Sequence, residues 1–380
     1  MTTYQQTHPW ISFQFDFSRA DPRLWLLLGE AHSKCEHIAG TPLRPEVAEE
    51  LHQIYLAKGV LATTAIEGNT LSEEQVRELL EGKLKLPPSQ EYLAQEVENV
   101  IRVCNFLDEN REEAAISPAR IRMFNSMVLK DLQLTEGVIP GEYRTHPVLV
   151  GSVYRGAPPQ DCEFLINRLC EWLNGADFKA PQGLETVYAI IKAVVAHLYL
   201  AWIHPFGDGN GRTARLVEFQ ILLAAGFPSP ASHLLSNHYN QTRNEYYRQL
   251  ALASRSGGDI LPFVGYAVRG FVDGLKEQLA LIRTQQWDVA WRNYVHEEFR
   301  DKHTRSDKRR RDLVLDLSRK NKAVPIAEVV DLSSRIARQY AGKSYRTLQR
   351  DLSILEKLNL IERTAKDVRA KREIILAFLP

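Results

Sequence analysis

His204-Pro205-Phe206-Gly207-Asp208-Gly209-Asn210-Gly211-Arg212-Thr213-Ala214-Arg215 decides how the rest of this chain is read. The stretch lies between two helical patterns, Glu185 to Trp202 and Arg212 to Ala225. Three glycines in five residues let the backbone turn sharply and approach a ligand closely. Successive backbone N–H groups ahead of a helix N-terminus form an anion-binding concavity. Arg212 and Arg215 stand one helical turn apart, so both can point back at that anion. Asp208 offers a hard oxygen, and Mg²⁺ is held by one or two carboxylates plus substrate phosphates. His204 titrates near neutral pH and can take a proton from a hydroxyl. Together these residues predict a site for a Mg²⁺-bound polyphosphate beside a general base. A Gly-rich helix–helix turn would account for any one of them. It does not account for the string, because the extra glycines cost entropy without a ligand. A Walker loop is excluded by the missing GxxxxGK[ST], and a dinucleotide fingerprint by the missing strand.

Working outward, helical patterns dominate. Val47–Ile66 reads as a helix stopped by Gly68, and Ser72 with Gln75 reads as a capping box. Tyr92–Leu107, a helix opened by Ser117-Pro118, Asp161–Leu173, Asn244–Leu252 and Leu261–Ile282 follow. Residues 1–46, punctuated by Pro9, Pro22, Pro42 and Pro45, read as irregular. Residues 144–151 are β-prone and framed by glycine, which predicts a short hairpin. The fold class is therefore mostly α, with one small β element in the body. The expected organisation is a helical region over 1–112, a core over 113–282, a helical linker over 283–307 and a small domain over 308–380. The last is read as a winged helix, from three helical stretches and strands at 360–363 and 373–376.

Of 380 residues, 44% are hydrophobic and 25% charged, which excludes a disordered chain. The net charge of +1 hides an asymmetry. Residues 300–380 carry 21 Lys and Arg against 11 Asp and Glu, leaving 27 against 36 for residues 1–299. The tail is thus at +10 and the body at −9. A basic tail suits DNA or another polyanion. Lys343, Arg346 and Arg350 share one helix face, with further phosphate contacts expected from Lys308–Arg311 and a wing near Arg369–Arg372. A partner-binding or dimer-forming module is the competing reading. The four cysteines lack CxxC spacing and read as free thiols in a reducing compartment. No secretory leader or membrane-spanning run is legible, so a cytoplasmic location is expected.

The quoted stretch resembles the Fic family signature, HPFx[DE]GNGRxxR, at every defined position. The resemblance implies an all-helical core with a β-hairpin flap and transfer of AMP from ATP to a protein hydroxyl, with Mg²⁺. His204 would deprotonate the target Tyr, Thr or Ser, and Asp208 would hold Mg²⁺. Gly209, Asn210 and Gly211 would cradle the phosphates. Arg212 would hold the β-phosphate and Arg215 the γ-phosphate. Thr63-Thr64-Ala65-Ile66-Glu67-Gly68 resembles the family's inhibitory motif, in which Glu67 would pair with Arg215 and block the γ-phosphate slot, the class II arrangement. Val148, Val150 and Gly151 of the hairpin would line the site, and Tyr246 would lie near the adenine. His233 and His238 read as structural. The expected function is a self-inhibited protein adenylyltransferase acting on a target or on itself. The rivals are a bifunctional enzyme that also removes AMP, an ATP-sensing DNA-binding regulator and a nucleotide hydrolase.

Overall fold

Proline opens helices in this chain rather than breaking them. In the computed structural model, which describes residues 3–14, 16–112, 115–150, 154–320 and 322–376, Pro22, Pro45 and Pro118 each sit in the first turn of a helix. There the missing N–H costs nothing. The expectation that residues 1–46 are irregular therefore fails over Pro22–Ala39, an 18-residue helix. Asp21 caps it by accepting from Arg23 N–H at 2.8 Å. Leu24, Leu28, Ala31 and Cys35 form its buried stripe at helical spacing.

The longer helices of the body follow the sequence pattern, except Leu234–Gln241, which that pattern does not predict. They are Pro45–Ala65, Glu73–Leu80, Glu91–Glu109, Pro118–Val128, Cys162–Leu173, Glu185–Ile203, Asn210–Ala224, Leu234–Gln241, Arg243–Arg255 and Leu261–Glu298. The Ser72–Gln75 capping box is present with both hydrogen bonds, at 2.9 and 3.2 Å. Glu185–Ile203 is long and apolar enough to cross a membrane by composition, but most of it is buried in the body. It packs along its length on Asn210–Ala224. This antiparallel pair holds the loop 204–209 between its ends.

The predicted hairpin is displaced toward the C-terminus. Its paired residues are Leu149–Val150 with Tyr154–Arg155, while Arg144 is buried at its root. Gly151 lies outside the described residues.

The chain divides into two units, Met1–Ala280 and Leu281–Pro380. Residues 1–112 and 113–282 thus form one unit rather than two. The linker expected over 283–307 is no separate element. Leu261–Glu298 is one unbroken helix, and Trp291, Val295 and Phe299 belong to the C-terminal core. That core is completed by the helices Arg305–Leu317, Ser334–Tyr340 and Tyr345–Lys357 and a three-stranded antiparallel sheet. In the sheet Asp367–Ala370 lies between Val324–Pro325 and Ile361–Arg363. The strand expected at 373–376 is instead a 3₁₀ turn, Arg372–Ile375, and the true partner strand begins six residues earlier. Its four residues alternate, with Val368 and Ala370 buried, but the run is short and lies among charged residues, with a longer apolar run just after it at 374–376.

Candidate active site

His204 ends the helix Glu185–Ile203 in a left-handed conformation, with φ 51° and ψ 59°. A non-glycine residue there is strained and must be held by its surroundings. Arg144 holds it. Its Nε donates to His204 O at 2.7 Å, and its terminal amino groups donate to the carbonyls of His146 and Ala157. The backbone N–H of Arg144 donates to Pro205 O at 3.0 Å. One buried guanidinium thus ties the hairpin root to the catalytic loop. Sequence reading missed it, because Arg144 looked like an ordinary residue of a β-prone run.

Asn210 does not cradle a phosphate with its side chain. Its Oδ1 accepts from Phe206 N–H at 2.9 Å and its Nδ2 donates to Phe206 O at 2.8 Å, so it staples the loop shut. Asn125 is a second residue the sequence left unmarked. It donates to Asp208 O at 2.8 Å and accepts from Gly141 N–H at 2.9 Å. Gly209 adopts φ 73°, and a methyl there would meet Asn125 and Leu129.

Arg215 is 1% exposed and donates to Glu67 Oε1 at 2.5 Å and to Thr63 O at 2.9 Å. A methyl built on Gly211 would stand 2.0 Å from that same Glu67 oxygen. The carboxylate therefore lies directly over the glycine backbone of the loop. Arg212 sits between Glu96 at 3.3 Å and Asp208 at 3.2 Å. The other Glu96 oxygen accepts from Asn69 at 2.9 Å, two residues past Glu67. The end of the Glu67 helix is held from outside as well, since Arg243 and Tyr247 both donate to Ile66 O.

Val148, expected to line the site, lies on the hairpin beside Gly156. It accepts from Gly156 N–H at 3.2 Å, and Gly156 lies against both the Val148 and His204 side chains. Val150 is half-buried in the hairpin. Tyr246, expected near a base, is instead buried, with its hydroxyl 2.9 Å from His197 Nε2. It belongs to a core network in which His197 Nδ1 lies 3.1 Å from Glu218 and Tyr239 donates to Glu218 at 2.8 Å. His233 stacks on Phe219 and His238 packs on Tyr266, both in structural positions.

Burial shapes the electrostatics. It pushes His204 down to about 4, against a smaller upward pull from Glu67, so the imidazole is neutral at physiological pH. Burial would raise the Glu67 carboxyl, but Arg215, with Arg212 and His204 behind it, holds it below the ordinary range. Arg212 Nε, and Arg215 Nε and one terminal nitrogen, are buried without a hydrogen-bond partner among the described residues. Such orphaned donors are costly, and a bound anion would satisfy them. No cluster of three metal-ligating side chains occurs among the described residues. Asp208 is 51% exposed and keeps one oxygen beyond its bonds to Gly209 N–H and Arg212. A lone carboxylate of this kind fits Mg²⁺ that arrives with phosphates.

Fold and site together define a helical protein with a histidine and two buried arginines on a glycine-rich loop that opens a helix. Residues 115–222 match the family model described as Fic/DOC family, so the chain carries a Fic domain there. It is 30% identical over 275 residues to protein adenylyltransferase fic-1 of Caenorhabditis briggsae, covering 72% of this chain and 50% of that protein. It is 32% identical over 209 residues to protein adenylyltransferase Fic of Nematostella vectensis, covering 54% and 45%. The chain thus spans about half the length of these curated relatives. The structure of Fic-1 (aa134–508) from C. elegans superposes with a TM-score of 0.56 at 29% identity, covering 69% of this chain and 73% of that one. A Fic family protein from Desulfovibrio desulfuricans G20 shares the fold with a TM-score of 0.57 at 22% identity, over 92% and 96%.

Proposed function

We propose that this chain is a protein adenylyltransferase that moves AMP from ATP to a hydroxyl of a protein, with Glu67 as a built-in brake. The names of its relatives support the transferase reading. One observation carries the brake: the Glu67 carboxylate lies on Gly211 and Arg215, where the terminal phosphate of a triphosphate would need to lie.

His204 takes the proton of the incoming hydroxyl. The oxygen forms a bond to the α-phosphorus, and the bond from that phosphorus to the bridging oxygen of pyrophosphate breaks. Arg212 neutralises the leaving pyrophosphate, and Arg215 holds its outer phosphate once Glu67 has left. Positioning and charge do most of this work. Asp208 would hold Mg²⁺, whose chemistry is to offset phosphate charge. Arg144 and Asn125 keep the loop in shape, and Glu96 orients Arg212. The target is a Tyr, Thr or Ser of another protein or of this chain. The four buried free thiols support a reducing, cytoplasmic setting.

The test is incubation of wild type, Glu67→Gly and His204→Ala with labelled ATP, followed by gel detection of labelled protein. Glu67→Gly should label itself at least about tenfold faster than wild type, since a charge-assisted hydrogen bond to the buried Arg215 is worth about 1.5–3 kcal/mol. His204→Ala should label nothing while still binding nucleotide. Equal labelling by wild type and Glu67→Gly would sink the brake, and no labelling by any variant would sink the transferase.

A further inference from the structure

The basic C-terminal unit holds its cations in two different ways. Several are held by internal ion pairs. Asp351, fully buried, accepts from Arg309 and Arg310 and from the Tyr340 hydroxyl at 3.0 Å. Arg335 lies 2.5 Å from Asp316. Arg369 is caught between Glu362 and Glu373, and Arg372 is paired with Asp288. The two runs expected to touch phosphate, Lys308–Arg311 and Arg369–Arg372, are therefore mostly structural.

The helix Tyr345–Lys357 and the cation just before it carry a group that is left over, as Lys308, Lys320, Lys322 and Lys366 are elsewhere in the unit. Lys343, Arg346, Arg350 and Lys357 are exposed and make no ion pair or side-chain hydrogen bond among the described residues. At 100° per residue Arg346, Arg350, Ser353 and Lys357 fall within an arc of about 60°. Leu348, Leu352, Leu355 and Asp351 occupy the buried face. Asp351 pins this helix to Arg305–Leu317 and Ser334–Tyr340, so the exposed face has a fixed direction within its unit.

We propose that this unit is a winged helix that lays Tyr345–Lys357 into the major groove of duplex DNA. The order helix, strand, helix, helix, strand, strand around it suits that arrangement. A 13-residue helix is about 20 Å long, and the groove is about 12 Å wide, enough to admit it. An acidic protein is the competing partner, but stable protein interfaces are anchored by apolar or aromatic side chains. The arc carries only Arg, Ser and Lys, and the exposed aromatic of this helix, Tyr345, stands outside it at the first position. A polyphosphate duplex needs cations and no apolar anchor.

The test uses the full chain and a labelled 30-base-pair duplex of mixed sequence, read by fluorescence anisotropy. With about four phosphates neutralised, Kd should rise roughly 10²-fold between 50 and 200 mM salt. Arg346→Ala/Arg350→Ala should weaken binding at least tenfold at 50 mM salt and flatten the salt slope by about 2. Both residues are exposed, so an unchanged thermal midpoint will show that the variant is folded. Arg369→Ala, which removes a paired surface cation, should change Kd by less than about threefold. Absent binding at 50 mM salt, no effect of the double variant, or an equal loss in Arg369→Ala would overturn the proposal. So would a polyglutamate peptide that binds as tightly as the duplex. None of these readouts requires AMP transfer, so the proposal stands or falls apart from the transferase reading.

Discussion

His204 acts at the residue scale through its protonation state. Its folded value, about 4, lies below its ordinary 6.5, so between the two the unfolded chain binds a proton that the folded chain does not. Stability therefore rises with pH across that window and is lost as pH falls through it. The transferase rate of Glu67→Gly should stay flat from pH 8 to about pH 5. A rate that halves near pH 6.5 would mean the imidazole is not held neutral. Arg144 makes a sharper prediction. Arg144→Lys keeps the charge but cannot reach three carbonyls at once. In the Glu67→Gly background it should cut labelling by about tenfold or more, with the loss in kcat rather than in nucleotide affinity.

At the scale of elements, release of the proposed brake requires the end of the helix Pro45–Ala65 to shift. The helix is seated by Gly59, where a methyl would stand 2.1 Å from the His233 ring. Gly59→Ala must push that helix or His233 away, an overpacking cost of about 1–3 kcal/mol. We expect a lower thermal midpoint together with faster self-labelling. Arg243 and Tyr247 hold the C-terminal end of the same helix through Ile66 O. Arg243→Ala removes one hydrogen bond worth about 0.5–1.5 kcal/mol. It should raise labelling a few-fold, less than Glu67→Gly does, because a partial shift of the inhibited population is all that one bond can cause. Labelling no faster than wild type would show that the brake does not depend on this tether.

At the scale of the molecule, two units each carry a core. Trp291 is 1% exposed and lies in the C-terminal core although it comes from the long helix Leu261–Glu298. Trp291→Ala should cost that unit about 3–5 kcal/mol. The thermal trace should then separate into two transitions, with nucleotide protection confined to the one from residues 1–280. A single transition displaced as a whole would mean that the units unfold together.

The sequence by itself determined the helical class and the loop between two helices, and it pointed to His204, Asp208, Arg212 and Arg215 as candidate site residues, while burial, which only the fold supplies, moved His204 from near-neutral titration to about 4. Short-range periodicity, glycine spacing and capping pairs such as Ser72 and Gln75 are written in neighbouring residues, so they can be read there. It also pointed to Glu67, which the structure places on Arg215. The contacts decided only by tertiary structure join residues far apart in the chain. Arg144 on His204, Glu96 on Arg212 and Arg243 on Ile66 bridge separations that no local pattern records. Tyr246 and the Lys308–Arg311 run show the same limit from the other side. A tyrosine or an arginine looks available until folding supplies the buried partner, His197 in one case and Asp351 in the other, that the desolvated group requires.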